Sequence, residues 1–247
     1  MSSKPQIEYV LFDLDGLMVD SETIYTDVTN EILAKYGKEK MSWDIKAGCM
    51  GKPEREAASY LLSFFPDIPL TIDEYLQQRN TLQDLLFPTV PLLPGVQKLV
   101  WHLKKHNIPI AVATGSRRRN YELKTGHLGE VFECFDGKVV CADDFKYGMR
   151  GKPNPDVFLV AAKEMLGRNI DGAEVTEEQR NERKKGLVFE DALPGIQAGK
   201  RAGMSVVWIP DTNLLSVEYT GSEKADQVLE SITAFVPEEW GLPPYES

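Results

Sequence analysis

Cysteine and histidine are scarce in this 247-residue chain, with three of each. Cys49, Cys134 and Cys141 form no close CxxC pair, and His102, His106 and His127 show no metal-ligand spacing. A zinc site and a disulfide framework are therefore excluded as organising devices. The cysteines read as small apolar residues in a reducing cytosol, and the histidines as surface or helix-end residues. No apolar run approaches the roughly 20 residues that span a bilayer. Met1 to Val10 lack a basic start followed by an apolar stretch, so neither a membrane span nor a secretory signal is expected. Basic residues are also in deficit: 28 Lys and Arg face 38 Asp and Glu, for a net charge of −10. Nucleic-acid binding needs a basic face, so that class of partner is not expected. An anion can still bind locally where a metal and a few lysines gather. There is no internal repeat and no low-complexity tract. The expectation is a cytoplasmic monomer with no membrane or nucleic-acid partner.

What is present is an ordinary globular composition, 42% hydrophobic and 27% charged, in a chain long enough to bury a sizeable core. Short apolar runs end in polar loops. Tyr9-Val-Leu-Phe-Asp13 stops at Gly16; Ile108 to Thr114 stops at Gly115-Ser116. Gly186 to Asp191 and Ser205 to Ile209 follow the same plan. These read as buried strands. Helical spacing lies between them, at Val96 to His106, Pro155 to Leu166 and Pro194 to Ala202, the last closed by Gly203. Alternating strands and helices imply an α/β fold, a Rossmann-like parallel sheet core with helices on both faces. Gly167 to Lys185 reads as a solvated excursion with some helix.

One segment breaks the alternation. Ser21 is an expected N-cap for a helix from Glu22 to Tyr36. Pro53 opens a second helix to Phe65, and Thr71 caps a third to about Leu86. Residues 21–90 are thus expected to form an inserted α-helical cap domain, with 1–20 and 91–247 forming the core. Linkers so close to the first strand suit a hinge.

Ligands of such sheets bind outside the carboxyl ends of the strands, where four polar segments fall. Asp13-Leu-Asp15-Gly16 sets two carboxylates two residues apart. Thr114-Gly115-Ser116 offers hydroxyls and backbone N–H groups suited to an anion. Lys152 is a cation held between chain-breaking residues. Glu190-Asp191 ends a buried strand, where adjacent acids need a partner or a metal. Acids at two strand ends can hold Mg²⁺, which prefers oxygen ligands and phosphate. The hydroxyl turn and Lys152 can hold the other phosphate oxygens. Asp13 is then left to attack phosphorus and Asp15 to handle the leaving group's proton. The expected partner is a small-molecule phosphate ester.

Phe-Asp13-Leu-Asp15-Gly16, Thr114-Gly-Ser116, Gly-Lys152-Pro-Asn-Pro and Phe-Glu190-Asp191, in this order, resemble the haloacid dehalogenase-like hydrolase superfamily. With its helical insert the chain is similar to the β-phosphoglucomutase-like phosphatases. The resemblance implies that Asp13 forms an aspartyl-phosphate and that Asp15 is general acid, then base. It implies that Lys152 steadies both Asp13 and the phosphoryl group. Thr114, Gly115 and Ser116 would bind phosphate. Mg²⁺ would be held by Asp13, the backbone carbonyl of Asp15, Asp191 and, directly or through water, Glu190. The loop from Gly48 to Arg55, with Gly51, Lys52 and Arg55, would meet the leaving group. Pseudouridine 5′-phosphate is the first candidate substrate. A sugar or glycerol phosphate, or a sugar phosphomutase reaction, is the alternative.

Overall fold

A computed structural model describes residues 6–49, 54–171, 175–211 and 221–246. The chain divides into two compact units, one of Met1–Val19 with Leu92–Ser247 and one of Asp20–Pro91.

The larger unit is built on a six-stranded sheet in the order β3-β2-β1-β4-β5-β6, every pairing parallel. The strands are β1 (Tyr9–Phe12), β2 (Ile110–Ala113), β3 (Val139–Val140), β4 (Gly186–Glu190), β5 (Ser205–Trp208) and β6 (Gln227–Val228). The four longer strands are apolar along their length because both sheet faces are covered. Side chains alternate between the faces. Tyr9 and Leu11 pack with Val157, Phe158 and Ile196. Phe12 points the other way, edge-on to Phe135 and stacked on Phe189 with ring centroids 5.1 Å apart. Phe189 in turn meets Phe235. Burying each such side chain contributes about 1.5–3 kcal/mol. β3 and β6 are additions to the four expected strands. Each is a two-residue edge strand, too short to show periodicity.

The helices of this unit are α5 (Val96–Lys105), α6 (Arg118–Thr125), α7 (Gly129–Phe132), α8 (Asp156–Val160), α9 (Glu177–Arg183) and α10 (Leu193–Arg201). The helix expected from Pro155 to Leu166 begins as α8 and continues as a π-helical turn over Ala161–Met165. The polar excursion holds α9, closed at its start by a capping box between Thr176 and Gln179. Of the two places expected for a histidine, surface or helix end, His102 takes the second, in the last turn of α5. It is buried on α5, with Nε2 2.8 Å from the Pro243 carbonyl oxygen.

The smaller unit contains α1 (Ser21–Lys35), α2 (Trp43–Cys49), α3 (Glu54–Ser63) and α4 (Ile72–Leu86). Its own core holds Val28, Ile32, Ala58, Leu61, Tyr75 and Leu76. The cap of α1 is Asp20, whose carboxylate accepts from Thr23 N, and not Ser21, which is already helical. Thr71 caps α4 as expected, in a capping box with Glu74. Of the expected loop from Gly48 to Arg55, Gly48 and Cys49 belong to the end of α2 and Glu54 and Arg55 to the start of α3. At Gly48 the Tyr60 ring occupies the space a Cβ would need. Pro53 lies outside the described residues. No helix among the described residues is long and apolar enough to cross a membrane.

Candidate active site

The sheet order makes β1 the strand where chain progression reverses, with β2 on one side and β4 on the other. Crevices at such points receive ligands. Phe12 is level with Val112 and with Phe189. Asp13 N donates to the Phe189 carbonyl oxygen at 3.0 Å, so the ladder carries one residue past the strand. Asp13 is thereby brought beside the end of β4.

Asp13, Glu190 and Asp191 are all buried, and each offers a carboxylate oxygen within 4.8 Å of the others. Lys152 donates to Asp13 Oδ1 and to Glu190 Oε1, both at 2.5 Å. Its ammonium also lies 4.9 Å from the centroid of the Phe158 ring. Glu190 Oε2 accepts from the backbone N–H groups of Asp191 and Ala192. Gly195 makes room for this carboxylate, since a Cβ there would stand 1.8 Å from it. Asp191 is fixed through its backbone, where Trp208 Nε1 donates to its carbonyl oxygen at 2.7 Å.

Burial pushes Asp13 up to about 7, the neighbouring Glu190 and Asp15 carboxylates add to this, and Lys152 opposes it. Burial works to lower Lys152, but the charges of Asp13 and Glu190 outweigh it and hold the ammonium form. The site thus gathers more negative charge than one lysine neutralises. Its donors are all oxygen, the preference of a hard divalent cation. The cluster can hold such an ion.

Asp15 stands on a tight turn after β1. Gly16 takes φ +72°, a left-handed conformation suited to glycine. Its N–H donates to the Val19 carbonyl oxygen at 3.1 Å. Ser116 Oγ donates to Asp15 Oδ2 at 2.6 Å, and Lys124 Nζ donates to Asp15 Oδ1 at 2.5 Å. Thr114 N bonds the Val140 carbonyl oxygen, which seats the fully buried Thr114 at the end of β2. Its Oγ1 accepts from Ser116 N at 2.9 Å, so the hydroxyl proton can serve an incoming oxygen. A Cβ on Gly115 would meet nothing within 4 Å. The structure therefore joins Asp13, Lys152, Glu190 and Asp191 in one set of contacts, and Asp15 with Ser116 in another. A buried carboxylate beside a cation can attack an electrophile, and a second carboxylate on the next turn can exchange a proton with its leaving group.

Gly51 and Lys52 lie outside the described residues. Arg55 sits on the exposed surface of the helical unit, where it pairs with Asp73 at 2.5 Å. Lys124, Gly195 and Trp208 were not singled out from sequence. Tyr121, Lys124 and Thr125 share one helical face, and all three are buried.

These features suit a hydrolase, and the comparisons agree on that class. The model of the haloacid dehalogenase-like hydrolase family matches residues 10–209, and the chain belongs to that family. A (DL)-glycerol-3-phosphatase 2 of Arabidopsis thaliana is 40% identical over 99% of this chain and 95% of its own length. A probable pseudouridine-5′-phosphatase of Drosophila melanogaster is 36% identical, over 97% and 96%. One of Saccharomyces cerevisiae is 37% identical, over 85% of each chain. With such relatives the chain is a phosphatase. The fold is also that of a haloacid dehalogenase family hydrolase from Deinococcus radiodurans solved with bound phosphate and sodium. That structure gives a TM-score of 0.75 at 23% identity, over 99% of this chain and 100% of the other.

Replacing Gly195 by alanine is expected to displace Glu190, and Lys152 with it. A misplacement of about 1 Å near the chemistry can cost roughly 10²-fold in turnover. Overpacking costs ~1–3 kcal/mol of stability. Steady-state kinetics on p-nitrophenyl phosphate and a urea titration check both effects.

Proposed function

We propose that this phosphatase hydrolyses a small phosphate monoester through an aspartyl-phosphate on Asp13. The observation that carries the reading is Lys152, bonded at once to Asp13 and Glu190 beside Asp191 at the ends of adjacent strands. An Asp13 oxygen attacks phosphorus as the bond to the leaving oxygen breaks. Asp15 gives that oxygen a proton and then, as a carboxylate, takes one from the water that attacks the aspartyl-phosphate. Release of phosphate regenerates the Asp13 carboxylate. Lys152 screens Asp13 from the anionic ester and, with the Thr114–Ser116 turn, steadies the phosphoryl oxygens. Asp13, Asp191 and the Asp15 carbonyl oxygen would hold Mg²⁺, with Glu190 reaching it directly or through water. The bound ion would supply charge neutralisation and orientation of the phosphoryl group. The enzyme would work as a cytoplasmic monomer. Its net charge of −10 disfavours nucleic-acid substrates.

Pseudouridine 5′-phosphate is the first candidate substrate, supported by the relatives named for that activity. Glycerol 3-phosphate is a second, favoured by the Arabidopsis relative that aligns with nearly the whole chain. The core residues meet only the phosphate common to both. Discrimination would fall to the helical insert acting as a cap, through the segment with Gly51, Lys52 and Arg55.

Asp13→Asn keeps the side-chain volume and removes the attacking charge. It is expected to abolish turnover of every monoester while circular dichroism stays unchanged, and turnover near wild type would exclude the covalent route. EDTA is expected to remove activity. Mg²⁺ should restore it and Ca²⁺ should do so poorly, because Mg²⁺ demands tight octahedral geometry whereas Ca²⁺ accepts longer bonds and more ligands. Full activity after exhaustive chelation would rule out the metal role. Comparing kcat/KM for pseudouridine 5′-phosphate, uridine 5′-phosphate, glycerol 3-phosphate and hexose 6-phosphates decides the substrate. Pseudouridine 5′-phosphate is expected to lead, and Lys52→Ala or Arg55→Ala to narrow its lead. A lead of roughly tenfold for glycerol 3-phosphate, more than one or two ordinary contacts would give, would transfer the assignment to it.

A further inference from the structure

Lys124 has no place in the chemistry described so far, yet its side chain is fully buried in the structure. A buried ammonium is tolerated only beside an anion, and the anion here is Asp15. The helix that carries it, α6, begins two residues after Ser116 and has eight residues. Helical side chains lean toward the N-terminus of their helix. Lys124 lies in the last turn, so its chain runs back along α6 toward the turn that holds Ser116. Nζ ends 2.9 Å from Ser116 Oγ and 2.5 Å from Asp15 Oδ1. Ser116 Oγ takes the other carboxylate oxygen, Oδ2, at 2.6 Å. Lysine, serine and aspartate thus close a ring of three contacts.

The start of α6 is anchored as well. Arg118 N donates to Asp143 Oδ1 at 2.8 Å, and the Arg118 guanidinium bonds the Val139 carbonyl oxygen and Asp144. The helix is tied to the loop after β3. Its lysine is therefore presented to Asp15 from a fixed support.

From this arrangement we infer that Lys124 is a positioning residue, which aims the carboxyl group of Asp15 for proton exchange with the leaving oxygen and the attacking water. The inference rests on the reading of Asp15 as the acid and base of the phosphatase. Lys124 reaches the carboxylate from inside the protein, while 21% of the Asp15 side chain stays accessible.

A positioning role has a signature that a merely structural role lacks. The leaving group of a primary alkyl phosphate needs a proton as its bond to phosphorus breaks, whereas p-nitrophenolate departs without one. Their kcat/KM values report the first half-reaction, in which that proton is used. Lys124→Met is expected to lower kcat/KM for an alkyl phosphate by ~10²-fold, the low end of general acid catalysis, and to leave p-nitrophenyl phosphate within a few-fold. Lys124→Arg, which keeps a cation, should recover most of the loss. In an Asp15→Asn background, adding Lys124→Met should cost nothing more, because the residue it positions has gone. Equal losses on both substrates, or losses that multiply in the double variant, would overturn the inference. If Lys124→Met alone is not folded by circular dichroism, the Asp15→Asn/Lys124→Met protein carries the test, since neither charge of the pair remains. Matching Asp15→Asn supports the inference, and a further fall overturns it. Activity in Asp13→Asn would instead refute the covalent mechanism, whichever way the two substrates compare.

Discussion

The pairing of β1 with β4 is the constraint on which the site depends. It sets Asp13 beside Glu190 and Asp191 in a place where none of the three is well hydrated. Carboxylates crowded in this way repel one another. They persist together only if cations are brought to them, and Lys152 is the cation the chain itself supplies. Much of the surrounding structure serves this arrangement. Gly195 clears space for Glu190, Trp208 anchors the Asp191 backbone, and Phe158 gives the Lys152 ammonium an aromatic face.

The two lysines divide the labour. Lys152 faces Asp13 and Glu190, while Lys124 faces Asp15 and Ser116. Asp13 and Asp15 are therefore each paired with a lysine ammonium. Charges held before substrate arrives need little reorganisation during reaction, the condition under which electrostatic stabilisation is most effective. Phe12, Phe189 and Phe235 pack as an aromatic layer on one face of the sheet.

Sequence reading found the residues that lie next to one another along the chain at strand ends. Asp13, Thr114 and Glu190 each follow or close a buried apolar run, and such runs announce both the strand and the point where it stops. Lys124 escaped because its helix is polar on nearly every face, so one inward lysine looks like any solvated one. Gly195 and Trp208 escaped because their roles depend on what packs against them in space. The edge strands β3 and β6 were illegible for a simpler reason: two residues carry no period. The burial of His102 was not legible because the Pro243 carbonyl it meets lies 141 positions away in the chain. The shift of the first cap from Ser21 to Asp20 shows how finely local hydrogen bonding sets a helix start. Either side chain could cap, and only Asp20 lies outside the helix with its carboxylate on Thr23 N.

The chain leaves and re-enters the sheet unit at points that are themselves joined. Val19 is bridged to Leu92 in antiparallel fashion, and Leu93 N donates to the Met18 carbonyl oxygen. To the sheet, everything from Asp20 to Pro91 is a loop whose two ends are already fastened. The entropy of closing a loop grows only with the logarithm of its length. A longer, shorter or rebuilt insert would therefore change the stability of the sheet very little. The charged groups at the ends of β1 and β4 owe their places to the sheet alone, whatever length of chain is spliced in between Val19 and Leu92.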